Sequence, residues 1–261
     1  WPARSAGLEV TAEPKVVQSC LGLLEGVFQR PRRQYRQTTG PAAQALIDQA
    51  PLGYWRLDDL QGPLAKSGIA HGVDAVYEPG VVFFLAGPQT PAFTCLPEVN
   101  RAAHFAGGRL RVRLPELPQA YRISLSIWNG MPTDAREVTG WFYGRGVDAS
   151  RDSYVEQVGV AGRGDHAGRL IARLPGGRSH YGRSPIHRWQ WHRVLISRTQ
   201  ERFEVFLDGK QDPEISILVE PPAGDDAGLG DVRADAEVFF GGSSSGDANW
   251  EGRLDEIAIL P

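Results

Sequence analysis

Apolar and polar residues alternate with period two through the carboxyl-terminal third of the chain. The pattern runs through Trp191-His192-Arg193-Val194-Leu195-Ile196-Ser197 and Arg202-Phe203-Glu204-Val205-Phe206-Leu207. It returns in Phe239-Phe240-Gly241-Gly242 and in Trp250-Glu251-Gly252-Arg253-Leu254-Asp255-Glu256-Ile257-Ala258-Ile259-Leu260. Asp208-Gly209 caps the second segment, and such a pair supplies the turn of an antiparallel hairpin. Period two sends successive side chains to opposite faces, so each segment predicts a strand that buries one face.

The same reading extends back to Gly53. Strands are predicted over 54–57, 81–85, 102–105, 110–114, 122–128, 138–143, 154–160, 169–173, 189–198, 203–207, 236–241 and 251–260. Many short strands at regular spacing, without long helices between them, predict an all-β antiparallel sandwich and exclude a doubly wound α/β domain. The 31 glycines and 19 prolines suit the turns such a fold needs. Residues 1–50 differ. Val17, Leu21, Leu24 and Phe28 fall at helical spacing, ended by Pro31 and an arginine cluster (Arg30, Arg32, Arg33, Arg36), which reads as a solvated helix end. A second short helix through Ala42, Ala45, Leu46 and Ile47 stops before Pro51. The expected organisation is an arm over 1–50 and a sandwich over 51–261.

A net charge of -3 gives no electrostatic reason to expect a nucleic-acid partner. No apolar run is long enough for a membrane-spanning helix. A chain that opens on Trp1 reads as processed or partial, so the missing leader does not speak against export. Cys20 and Cys95 are too few for a zinc motif and form either a disulfide or two buried thiols.

In chain order, Tyr54-Trp55-Arg56-Leu57-Asp58-Asp59, Ala103-His104-Phe105-Ala106-Gly107-Gly108, Ser124-Leu125-Ser126-Ile127-Trp128, Trp191-His192-Arg193-Val194, Phe206-Leu207-Asp208-Gly209-Lys210 and Gly252-Arg253-Leu254-Asp255-Glu256-Ile257 resemble the markers of laminin-G-like domains of the concanavalin A-like lectin/glucanase superfamily. Asn129-Gly130-Met131-Pro132 to Thr139-Gly140 and Pro213-Glu214-Ile215 further resemble a bacterial, planctomycete-type subgroup. The resemblance implies a jelly-roll of two antiparallel sheets. It also implies a module that binds a carbohydrate or a protein partner within a larger, exported surface or envelope protein.

Catalytic patterns fail one by one. Gly242-Ser243-Ser244-Ser245-Gly246 matches a nucleophile elbow, but a strand follows where a helix is required and no histidine comes after His192, so a turn is expected. Gly162-Arg163-Gly164-Asp165-His166-Ala167 loosely matches a dinucleotide fingerprint and contains Arg-Gly-Asp, but it leads into a strand and reads as a hairpin loop. His187 and His192 stand at odd spacing, against a shared metal. Glycosidases of the superfamily line carboxylates along one strand face; Glu204 with Asp208 and Glu214 with Glu220 come nearest and do not reproduce that spacing. The expectation is a chain without catalysis, with a diverged glycoside hydrolase as the remote alternative and a purely structural subunit of a larger assembly as the nearer one.

Trp and Tyr rings serve as sugar platforms. Trp141, Tyr143, Trp189, Trp191 and Tyr181 are the candidates, with Arg145, His180 and Arg183 beside the predicted loops; Trp141, Tyr143, Arg145, His180, Tyr181 and Arg183 form the expected ligand set. Trp141 and Tyr143 share parity, as do Trp189 and Trp191, which fits a buried sheet face equally well. The resemblance further implies a structural calcium between the first and last strands, at Asp58 and Asp255. Lys66-Ser67-Gly68 departs there from the acidic residue of relatives.

Overall fold

Alternation along the strands becomes two facing antiparallel sheets. The computed structural model describes residues 38–89, 99–148, 153–174, 178–219, 236–243 and 246–261. Cys20, Cys95, the helix expected over 13–30 and the 221–230 loop lie outside them. The front sheet runs in the order β14 (Ile215–Leu218), β13 (Arg202–Leu207), β12 (Trp191–Arg198), β7 (Tyr121–Asn129), β16 (Glu251–Leu260), β5 (Arg101–Ala106) and β4 (Val81–Ala86). A short β1 (Gly53–Trp55) also pairs with β16. The back sheet runs β11 (Ser179–Pro185), β10 (Arg169–Arg173), β9 (Ser153–Ala161), β8 (Val138–Asp148), β15 (Ala236–Phe240), β6 (Leu110–Leu114), β3 (Ala75–Tyr77) and β2 (Leu64–Ala65).

Between them lies one dry interior. Ile123, Leu125 and Ile127 of β7, Val194 and Ile196 of β12, and Leu254, Ile257 and Ile259 of β16 meet Val112, Phe142, Val158, Leu170, Val238 and Phe240 from the back sheet. Each such side chain contributes about 1.5–3 kcal/mol on leaving water. The Asp208-Gly209 pair has φ of 53° and 71°, both left-handed, and the Lys210 N–H donates to the Leu207 carbonyl at 3.1 Å, as the hairpin signal predicts.

Two edges are joined across the sandwich. Glu214, just ahead of β14, accepts from the backbone N–H groups of Arg183 and Ser184 on β11 at 2.8 Å each. Its other oxygen takes the Ser184 hydroxyl at 2.7 Å and Lys210 Nζ at 3.0 Å. Burial pushes the Glu214 carboxyl up, but those donors outweigh it and hold the group at about 2.

α1 (Pro41–Ile47) is the expected second helix, with Pro41 opening it and Pro51 soon after its end. Ala43 and Leu46 pack on Tyr54, Ala258 and Leu260, the outer side of the front sheet. The helix therefore packs with the sandwich.

Two sequence expectations change. Residues 178–188, whose polar composition reads as a loop, contain the edge strand β11; within that strand only Gly182 is buried, so the composition hides the pairing. Trp189, expected to open a strand, has φ of 65° and precedes β12.

Candidate functional site

The outer side of the front sheet carries the chain's aromatic surface. Along β7 the apolar parity goes inward, which leaves Ser124, Ser126 and Trp128 outward; on β12 the same logic leaves Trp191 and Arg193 outward. Register then sets these residues side by side. Trp191 stands opposite Trp128, Trp128 opposite Arg253, Arg253 opposite His104, and His104 opposite Val82. Neighbouring strands lie ~4.8 Å apart, so the row from Trp191 to His104 covers ~14 Å. Arg253 lies over the Trp128 ring at 4.6 Å, and His104 meets the same ring edge-on at 6.4 Å. Burial, and then the Arg253 charge, lower the His104 pKa.

One end of this row opens into a cleft of about 530 Å³. Ala42, Ala45, Leu46 and Gln49 of the α1 segment form one wall, Trp191 and Pro88 line it as well, and Ser126, Arg193 and Asp208 bring polar groups. Arg193 donates to Ser126 Oγ at 3.1 Å, and its backbone N–H donates to Asp208 Oδ1 at 2.8 Å. The other Asp208 oxygen holds His192 Nδ1 at 2.8 Å. A flat indole, aliphatic walls, a guanidinium, a carboxylate and an amide suit a rigid ring with one apolar face and a polar rim.

At the Arg193 level, across Ser126, Asp255 opens a buried acidic pair with Glu256. β16 carries a bulge between Asp255 and Ala258, with Glu256 at φ of 51°. Leu254 and Ile257 on either side stay in the core. Both carboxylates are fully buried. Tyr54 donates its hydroxyl to Glu256, Arg56 bridges Glu256 at 3.1 Å, and Asn100 Nδ2 donates to Asp255 at 2.7 Å. Burial, with the Glu256 charge beside it, pushes the Asp255 pKa far up; burial raises Glu256 against the opposing pull of Arg56.

The expected calcium does not fit these residues. Asp255 Oδ1 and Asn100 Oδ1 are buried oxygens without a hydrogen-bond partner, but one carboxylate and one amide fall short of the six to eight oxygens that calcium takes. Among the described residues no three His, Cys, Asp or Glu side chains gather as a metal site. The cationic charge comes from the protein: Arg56 stands within electrostatic reach of Asp58, Tyr54 and Glu256, and Arg193 of Asp255 and Glu256. Lys66 is engaged elsewhere, bridging Asp74 at 2.7 Å.

The residues expected to bind ligand are dispersed over the back sheet. Tyr143 is wholly buried, and Arg145 lies over the Tyr121 ring at 5.5 Å. Tyr143 and Tyr121 share Glu156, which Arg198 bridges at 2.9 Å, so this polar network ties the two sheets from within. A side chain sealed there cannot meet a sugar, and Tyr143 and Arg145 leave the ligand set. The shared parity of Trp141 and Tyr143 fails because β8 has a register shift between them, which admits Phe142 as well as Tyr143 to the core. Trp141 faces outward instead, packed with Ile171 and Val138 and covered by Arg173 at 5.1 Å, and only 3% exposed. His180 sits on the inner side of β11 opposite Ala172. Tyr181 is exposed but stacks on His166 at 4.1 Å, and Arg183 donates to the Pro213 carbonyl at 2.8 Å. Sequence reasoning passed over Trp128, Arg193, Arg253 and His104. The usable signal was a Trp in the polar parity of Ser124 and Ser126.

The loops named by motif are turns. Residues 162–168 link β9 to β10, with Gly164 at φ of 119°, and the Gly246 N–H donates to the Ser243 carbonyl at 3.1 Å; Ser244 and Ser245 lie outside the described residues.

No family model matches the chain, and no curated protein matches it in sequence. Solved structures resemble it in shape. A mutant of Trypanosoma rangeli sialidase displaying trans-sialidase activity aligns with 94% of this chain and 36% of its own, at TM-score 0.59 and 10% identity. Trypanosoma rangeli sialidase in complex with 2,3-difluorosialic acid aligns with 80% of this chain and 30% of its own, at TM-score 0.56 and 11% identity. Domain 4 of AbnA, a GH43 extracellular arabinanase from Geobacillus stearothermophilus, in complex with arabinotriose, covers 80% of this chain and 91% of its own, at TM-score 0.48 and 18% identity. The chain thus spans about a third of the sialidases it resembles. The expectation of a chain without catalysis is corrected by the sialidase structures: sialidase is an enzyme, so the fold gives no ground for excluding catalysis. What they share with this chain is the antiparallel β-sandwich.

Proposed function

We propose that this chain is a carbohydrate-recognition module whose glycan lies on the outer side of the front sheet. In this reading Trp191 is the stacking platform in the cleft, and Arg193, Asp208 and Gln49 bond sugar hydroxyls. Trp128 continues the platform along the row. One observation carries the reading: two tryptophans occupy adjacent outward positions, Trp191 opposite Trp128, beside a cleft of about 530 Å³ that also offers polar groups. Half-buried indoles in the polar parity of two strands are spent on something other than the core. The order of laminin-G-like segments supports the same role, within a larger surface or envelope protein that is exported.

A glycan array, followed by calorimetry on the hits, tests it. Trp191→Ala is expected to weaken binding at least about tenfold, or ~1.4 kcal/mol, with Tyr181→Ala, exposed on the opposite sheet, as the control that leaves affinity unchanged. Wild-type affinity in a folded Trp191→Ala variant would remove the assignment.

A further inference from the structure

We infer that the glycan held on the front sheet is acidic, its carboxylate or sulfate groups meeting Arg253 and Arg188; this rests on the assignment of that face as a sugar site. Several arginines of the molecule are neutralised by carboxylates. Arg109 bridges Glu78 at 2.5 Å, Arg111 and Arg113 share Glu237 at 3.6 Å, Arg198 bridges Glu156 at 2.9 Å, and Arg136 bridges Glu251 at 3.6 Å. Other arginines, Arg122, Arg163 and Arg183 among them, are held by backbone carbonyls, and so are Arg253 and Arg188, each of which also lies over an indole. Arg253 donates to the Ala86 carbonyl at 2.6 Å and lies over Trp128. Arg188 donates to the Gly130 carbonyl at 2.8 Å and lies over Trp189 at 4.4 Å. Among the described residues no carboxylate bridges either one. A carbonyl and an indole face position a guanidinium without neutralising its charge.

The two pairs belong to one surface. Arg188 bridges to Asn129, and the Trp189 N–H donates to the Asn129 carbonyl at 2.9 Å, one residue beyond Trp128. Trp189 is 62% exposed in a left-handed conformation that costs a bulky side chain about 1–3 kcal/mol of strain, and such strain concentrates at binding sites. Glu251 is engaged by Arg136, and Asp208 by His192 and the Arg193 N–H. Burial and the Arg253 charge lower the pKa of His104 beside it. What remains is a pair of guanidinium forks flanking tryptophan rings, suited to planar anionic groups spaced along a chain of sugars.

The test uses two matched ligand pairs, oligogalacturonate with its methyl ester and dextran sulfate with dextran. Each is titrated against the full chain by calorimetry and tryptophan fluorescence at about 20 and about 200 mM salt. The acidic member of at least one pair is expected to bind about tenfold more tightly at low salt. Arg253→Gln and Arg188→Gln should each erode that preference, Arg188 being an exposed position whose loss leaves the core untouched. Trp191→Ala should weaken the acidic and neutral members alike. Equal binding of acidic and neutral members, with Trp191→Ala weakening both, would overturn the inference and leave the sugar assignment standing. No binding by either pair would overturn both. Tighter binding of a single-stranded oligonucleotide than of any acidic glycan would overturn the inference by making the ligand a phosphate polymer.

Discussion

Removing the Glu214 carboxylate should unfasten one edge of the sandwich. The group accepts from two backbone N–H groups and a hydroxyl of β11 at 2.7–2.8 Å, and from a lysine at 3.0 Å. In Glu214→Ala the three β11 donors lose their acceptor, at about 1 kcal/mol each. The half-exposed Lys210 adds at most about 0.5 kcal/mol. The expected loss is about 3 kcal/mol, or roughly 6–12 °C in Tm for a domain of this size. Acid provides an internal check. The folded carboxyl is depressed to about 2 from 4.5, so its contribution is fully present above pH 4.5 and is lost as pH falls toward 2. Urea melts of wild type and Glu214→Ala at pH 7 should differ by the full amount, and the gap should narrow between pH 4.5 and 2. A difference under about 0.5 kcal/mol at pH 7, or a gap that acid does not narrow, would refute the clasp.

Asp59 should act with the opposite sign. Burial lifts its carboxyl to about 6 from 3.8 while the Tyr77 hydroxyl donates to it at 3.0 Å, so the folded state keeps the proton longer than the unfolded chain does. Stability tied to Asp59 therefore declines as pH rises from 3.8 to 6, and Asp59→Asn should flatten that part of a Tm-versus-pH curve; parallel curves would count against it. Gly252→Ala should cost about 3 kcal/mol or more by denaturant melts, because a Cβ there would stand 2.1 Å from the Trp128 carbonyl and 2.8 Å from Trp250 Nε1. A near-wild-type midpoint would mean that β16 and β7 can part without penalty.

Strands with a clean apolar parity, such as β7, β12 and β13, could be read directly, because one buried face imposes the alternation. Bulges broke the reading. One extra residue in β8 sent Tyr143 inward and left Trp141 outside, and one in β16 let both Asp255 and Glu256 be buried. Neither can be seen in period two, which assumes an unbroken pleat. Edge strands such as β11 were hidden because tertiary pairing, rather than composition, makes them. The site itself is assembled across strands from residues as distant as His104 and Arg253. Single-strand parity could nominate Trp128 but could not name its neighbours.

β16 is made after every other described strand, yet it occupies the middle of the front sheet, hydrogen-bonded to β1, β5 and β7. A nascent polypeptide extended only to Phe240 therefore has two half-sheets and an open seam where Leu254, Ile257 and Ile259 belong. Such a chain must wait for its final interior strand before it can bury either half, and until then it offers those bare edges to whatever chaperone or neighbouring strand is at hand. Closure of the front sheet would accordingly be abrupt rather than progressive.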